Sequence, residues 1–314
     1  MNRERLSPGR LFVVAILVVL ATVVALGASL AVWLDRQLLN TSQWTKSSSQ
    51  LLANQNIRDA VSNEIVVRIR RESRVDEELS KHLSSKAQSL ASVGVTALQN
   101  VSATNISDFL TTKRAQRLWR QANRQAHSAL VAVLESKGPV SASEGTVVLD
   151  LGPLLVASAQ QMGVKKSLAE RLNPAGKVVL TSSTELATAQ DVVSGIRFFS
   201  LWLTVLAAVL YLLAVFLARG RRAGTVAACG TSLALVGLAL VVFRLAVGSV
   251  VVETYVHDLS YRPAIKSAWL IETHLLVTIA IVLIVVGAVA MVGGLFTAYL
   301  GRRSTASRAE PAGL

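Results

Sequence analysis

Lys113, Arg114, Arg117, Arg120 and Arg124 are five cations within twelve residues, with no acidic residue among them. On an α-helix the spacing of four, three and four puts Lys113, Arg117, Arg120 and Arg124 on one face, with Arg114 beside it. A row of ammonium and guanidinium groups is suited to gripping anions, such as lipid headgroups or an acidic envelope polymer. The same row is also what a solvated helix face looks like, neutralised by Asp76, Glu77 or Glu78 from a neighbouring helix. Both readings fit the spacing.

Trp119, Asn123 and His127 recur at intervals of four and share another face of the same helix. The expected role is structural: a buried Asn123–His127 hydrogen bond that fixes packing, since buried polar groups need partners. Catalysis by His127 would require a nucleophile or carboxylate placed by the fold. A second cluster, Glu253, His257, Asp258, Glu272 and His274, has side chains that ligate zinc. It lacks an HExxH pattern and any cysteine, so it reads as mixed charge at a membrane rim. P-loop, GxGxxG and GxSxG signatures are absent. The expectation is therefore no catalytic residue, no metal site and no cofactor.

The elements that must carry these residues follow from hydropathy. Of 314 residues, 52% are hydrophobic and only 16% charged; mean hydropathy is +0.50. Soluble domains carry roughly 25% charged residues. The apolar residues are clustered into four uncharged runs, Leu11–Trp33, Phe198–Ala218, Ala223–Phe243 and Leu275–Leu300. Each is long enough to cross roughly 30 Å of hydrocarbon. The first exceeds the ~7–15 apolar residues of a signal peptide. Although Gly27, Ala28 and Ala31 imitate a cleavage site, it reads as an uncleaved anchor. Cys229 has no partner for an internal disulfide and reads as a small packing residue.

Arginine sets the orientation. Arg3, Arg5 and Arg10 precede the first run, Arg219, Arg221 and Arg222 join the second and third, and Arg302, Arg303 and Arg308 follow the fourth. With four spans these three places share one side, and short Arg-rich loops stay in the cytoplasm. The layout is a cytoplasmic N-terminus (1–10), a span (11–33), an extracytoplasmic domain (34–197), a span (198–218), a cytoplasmic turn (219–222), a span (223–243), an outer loop (244–274), a span (275–300) and a cytoplasmic tail (301–314). The long middle segment is also basic, but long domains translocate largely regardless of charge. Trp33, Trp202 and Trp269 fall at the outer rim, as aromatic belts do, and Arg244 reaches that rim as a snorkelling anchor. This placement in a cell (plasma) membrane excludes nucleic acid as the reason for a net charge of +13. The partners implied are the bilayer, an anionic lipid or envelope polymer, and other membrane proteins.

The extracytoplasmic domain reads as helix-rich with a small β component. Helical periodicity runs from Thr41, an N-cap, through Ile69, then over 79–101, then from a Ser107 cap to Gly138-Pro139. TVVLDL (146–151) and KVVLT (177–181) read as paired strands, with short helices at Pro153–Met162 and Ser167–Leu172 between them. From Thr184 one helix is expected to run into the second span. The tail RRSTASRAEPAGL reads as disordered. The fold class is a mainly α membrane protein with four transmembrane helices.

On WRQANRQAH (119–127), VVLDLGPLL (147–155), KVVLTSSTELATAQ (177–190) and the span order, the chain resembles uncharacterised integral membrane proteins of actinobacteria. That resemblance implies one span, an exported helical domain and three further spans, and it carries over no functional residue. The span order is also similar to mechanotransmitting ABC-type permeases, whose cytoplasmic helices contact an ATPase. Here the inner turn and N-terminus are too short for such helices. The expected function is non-enzymatic display of a binding or scaffolding domain; the alternative is a permease-like subunit.

Overall fold

The computed structural model describes residues 8–80, 102–135, 140–143, 146–150, 177–180, 183–255 and 259–306. The chain is predominantly helical, and four helices are long and apolar enough to cross a membrane. These are α1 (Pro8–Leu34), α6 (Ser183–Leu217), α7 (Arg222–Tyr255) and α9 (His274–Ala306). Between α1 and α6 lie a π-helical turn (Asp35–Leu39), α2 (Thr41–Ala53), α3 (Gln55–Ser80), α4 (Ala103–Thr111) and α5 (Lys113–Leu134). Three short strands follow: β1 (Val140–Ser143), β2 (Thr146–Asp150) and β3 (Lys177–Leu180). The short α8 (Arg262–Glu272) precedes α9, with a proline in its first turn where a missing N–H does no harm.

The long helices form two tight antiparallel pairs. In one, Val14 of α1 packs on Ala214 and Ala218 near the end of α6. The other, α7 against α9, is a small-residue seam. A Cβ on Gly230 would lie 2.5 Å from the Gly287 carbonyl oxygen, and one on Gly294 2.6 Å from the Ala223 oxygen. Backbones can come this close only where neither side presents a side chain. Ala25, Ala207 and Val236 join the two pairs, and Leu26, Leu30 and Trp33 of α1 lean on Leu240, Leu276 and Ala280. Inside the bundle the Tyr211 hydroxyl and Ser232 hydroxyl are 2.9 Å apart, so neither polar group faces hydrocarbon unpaired.

This packing collects the start of α1, the α6–α7 turn and the end of α9 at one end of the bundle. Those are the Arg-rich places read from the sequence. The α6–α7 turn closes with Gly220 at φ 88°, a conformation open to glycine without penalty. At the opposite end sit α2, α5 and α8.

Several elements differ from their sequence-level reading. α7 continues past Phe243 to Tyr255 and α8 fills 262–272, so most of the expected outer loop is helix. α9 continues into the tail as far as Ala306. Asn40, not Thr41, caps α2: its side chain accepts from the Gln43 N–H at 3.0 Å. The helix expected from Ser107 to Gly138 is two helices. Thr112 adopts an extended backbone, donates to the Phe109 carbonyl at 2.7 Å and accepts from the Ala115 N–H at 3.2 Å. A threonine hydroxyl competes with the helix for backbone groups, ending α4 and capping α5 in one residue. β2 pairs antiparallel with both β1 and β3. The helices expected over 79–101 beyond Ser80, and at 153–162 and 167–172, lie outside the described residues.

Candidate functional site

α5 is the helix on which the basic residues sit. Its 22 residues contain no Asp or Glu. Lys113, Arg114, Arg117, Arg120 and Arg124 are all exposed, and none has an ion-pair partner among the described residues. The side chains of Asp76, Glu77 and Glu78, the neutralising partners weighed above, lie outside the described residues. Lys113 and Arg114 occupy the first helical turn, where the backbone dipole is already positive. Cations there cost a helix about 0.3–1 kcal/mol each, whereas a bound anion is favoured.

Toward its C-terminal half α5 is held firmly. His127 is only 4% exposed and its ring stacks on Trp44 of α2, with centroids 4.8 Å apart. Its Nε2 is 3.0 Å from the Leu38 carbonyl oxygen and its Nδ1 3.1 Å from the Thr41 hydroxyl. A carbonyl only accepts, so Nε2 carries the proton and neutral Nδ1 accepts from Thr41. Burial pushes the His127 pKa down, and the Leu38 carbonyl opposes this. The expected Asn123–His127 bond is not the one made. Asn123 donates to the Trp119 carbonyl, one turn back, at 3.0 Å, while His127 reaches across to the end of α1 and the start of α2. Both His127 ring nitrogens are engaged by Leu38 and Thr41, which leaves neither for Asn123. Trp119 donates to the Ser48 carbonyl and hydroxyl at 3.0 and 2.9 Å.

Two further joints fix this end of the molecule. Arg197 of α6 pairs with Glu135 just after α5 and lies 3.9 Å from Asp35. Gln190 donates to the Val133 carbonyl at 2.9 Å. No protein-family model, curated protein or solved structure matches the chain. The reading of this site therefore rests on its own geometry.

Of the zinc-type cluster, only Glu272 and His274 are among the residues whose side chains are described. The side chains of Glu253, His257 and Asp258 lie outside the described residues. Among the described residues no three potential ligands converge. His274 is exposed at the start of α9, and Glu272 is committed elsewhere. Gln37 donates to the Glu272 carboxylate and, at 3.2 Å, to the Ser47 hydroxyl. Trp33 donates to the Glu272 carbonyl at 3.4 Å. Arg244 donates to the Thr273 hydroxyl at 2.9 Å and the Leu270 carbonyl at 3.2 Å, so it clamps α7 to the α8–α9 junction. Nothing in the spacing of Gln37, Ser47 and Glu272 joins them; only the folded chain does.

Burial raises the Glu272 pKa, opposed by the bonds from Gln37 and Ser47. A carboxyl whose folded pKa lies above its unfolded value binds more protons folded than unfolded between those two values. Its contribution is therefore fully present below the unfolded value and is lost as pH rises through the folded one. Glu272→Gln should be flat where wild type declines. Thermal unfolding in detergent, from acid to alkaline pH, should show equal stabilities in acid and a more stable variant in alkali. Parallel curves would mean that the Glu272 carboxyl titrates alike in the folded and unfolded chain.

Proposed function

We propose that this is a non-enzymatic cell-membrane protein that presents the segment between α1 and α6 on the extracytoplasmic side as a binding or scaffolding surface. Its ligand class is anionic: a lipid headgroup or an acidic envelope polymer, held by Lys113, Arg114, Arg117, Arg120 and Arg124. The observation carrying this reading is a row of five exposed cations on an acid-free helix that is locked to α2 and to the turn after α1. Like charges crowded on one helix repel one another, and an external anion relieves that repulsion. The locked helix holds the row in position without ordering it on binding, which lowers the entropic cost of association.

The orientation follows from arginine. The Arg-rich ends of the bundle are cytoplasmic by the positive-inside rule, which puts α2, α5 and α8 outside. Reporter fusions after Gly138 and Tyr261 should behave as external, and those after Gly220 and Gly301 as cytoplasmic. A reporter at Gly138 with cytoplasmic activity would overturn the topology. The binding claim is tested with full-length protein in neutral nanodiscs, exposed to anionic vesicles and to acidic envelope polymer. Binding should occur and should weaken as salt rises, because screening acts within roughly 10 Å at 0.1 M ionic strength. No binding of either probe at low salt ends the proposal.

A further inference from the structure

Beside Arg114, at the α4–α5 junction, is an open apolar cavity of about 260 Å³. Phe109 and Leu110 wall it from α4, and Ala115, Leu118, Trp119 and Ala122 from α5. Phe109 is 55% and Trp119 37% exposed. Large apolar groups left open on a helix that carries five cations are an unusual use of surface. The cavity is slightly below the ~300 Å³ lower bound of small-molecule pockets, a size suited to one alkyl chain and too small for a folded partner's side-chain cluster.

Two of the five cations, Arg114 and Arg117, border the cavity. Arg114 precedes Leu118 by four residues and Arg117 precedes Gln121 by four, and Leu118 and Gln121 both line the cavity. Residues four apart on a helix are neighbours. A phosphate on Arg114 and Arg117 would therefore have the cavity one turn away, within reach of its own tail. The cavity is also preorganised. The Thr112 cap fixes the angle between α4 and α5, and Ser48 fixes the Trp119 ring.

Resting on the anionic-ligand reading above, we propose that this site takes an anionic amphiphile: a phosphate-bearing lipid whose headgroup meets Arg114 and Arg117 and whose alkyl chain enters the Phe109–Leu118–Trp119 cavity. A polymer of charges alone would use the basic row and leave the cavity empty. The apolar term is large enough to measure. Each buried methylene contributes about 0.8 kcal/mol, a factor of roughly four in affinity.

The test uses full-length protein in neutral nanodiscs and monoalkyl phosphates with brominated tails, which quench a contacting tryptophan. Trp33, Trp44, Trp202 and Trp269 supply a background, so the readout is the difference between wild type and Trp119→Phe. That difference should show saturable quenching by the brominated alkyl phosphate, lost at high salt. Two added methylenes should tighten binding roughly fifteenfold until the cavity is full. Leu118→Asp leaves the Trp119 hydrogen bonds untouched and should weaken binding at least about tenfold by placing a charge in the cavity. Equal quenching by a brominated neutral maltoside would overturn the role of the phosphate. Salt-dependent binding of anionic vesicles without quenching at Trp119 would overturn the amphiphile assignment and leave the anionic reading standing. Failure of vesicle, polymer and alkyl phosphate alike would remove both.

Discussion

Replacing Arg117 and Arg120 together by Glu should weaken binding of anionic vesicles or envelope polymer by on the order of 100-fold or more at low salt. Near an anionic surface each basic residue adds roughly 1 kcal/mol of attraction. Reversal removes that attraction and adds a repulsion, so two reversals count about four times. Folding should be little affected. Both side chains are exposed and neither has an ion-pair partner among the described residues, and exposed charges contribute below ~1 kcal/mol. Arg117→Glu even places its carboxylate nearer the positive end of the α5 dipole than the negative end. The comparison is vesicle and polymer pull-down by full-length wild type and double variant, with thermal unfolding as the folding control. Equal pull-down would make the basic row an ordinary wet helix face. Neutral replacements by Gln should fall between the two, because they remove attraction without adding repulsion.

Gly293→Ala and Gly294→Ala should have opposite effects on stability although the two positions are adjacent. A Cβ on Gly293 meets nothing within 4 Å, whereas one on Gly294 would lie 2.6 Å from both the Ala223 oxygen and the Ala227 nitrogen. At Gly293 the gain in helix propensity is up to about 1 kcal/mol. At Gly294 backbone meets backbone, so α7 and α9 must separate, at a cost of about 1–3 kcal/mol. Gly230 and Gly287 face each other, each 2.5 Å from the other's carbonyl oxygen once given a Cβ. Their Ala variants should be as damaging as Gly294→Ala, and the double variant should cost less than the sum, since the first separation makes room for the second. Unfolding in detergent of all four single variants and the double variant checks this. A neutral Gly294→Ala would mean that the α7–α9 seam is not the contact that holds the pair.

The long helices were legible because each needs only an uncharged run of sufficient length, and such runs are visible without knowing what they touch. Their exact extents were less so. α7 runs on through Arg244, because once that guanidinium finds the Thr273 hydroxyl and Leu270 carbonyl the helix has no reason to end. The basic row was legible in the same way, since spacing on one helix is a local property. Even there, the break at Thr112 escaped periodicity. The apolar repeat continues smoothly across it, and a single hydroxyl that bonds backward and forward decides the matter.

The partners of His127 could not be read from spacing. Asn123 is its neighbour on the helix, yet Leu38 and Thr41, 89 and 86 residues away, supply its hydrogen bonds. Gln37 and Glu272 meet across 235 residues. Such pairings depend on which helix ends are brought together, and the Gly230–Gly287 and Val14–Ala214 contacts set that.

By itself, then, the sequence determined the number of apolar helices, the gathering of arginine at three chain positions and the row of cations, because hydropathy and helical spacing act over a few residues at a time. The tertiary structure decided that those three positions share one end of the bundle, that α5 is locked to α2 through His127 and Trp119, and that an apolar cavity opens beside Arg114 at the α4–α5 junction. Each of these requires surfaces from different elements to meet, and what a surface meets is a property of the packed chain.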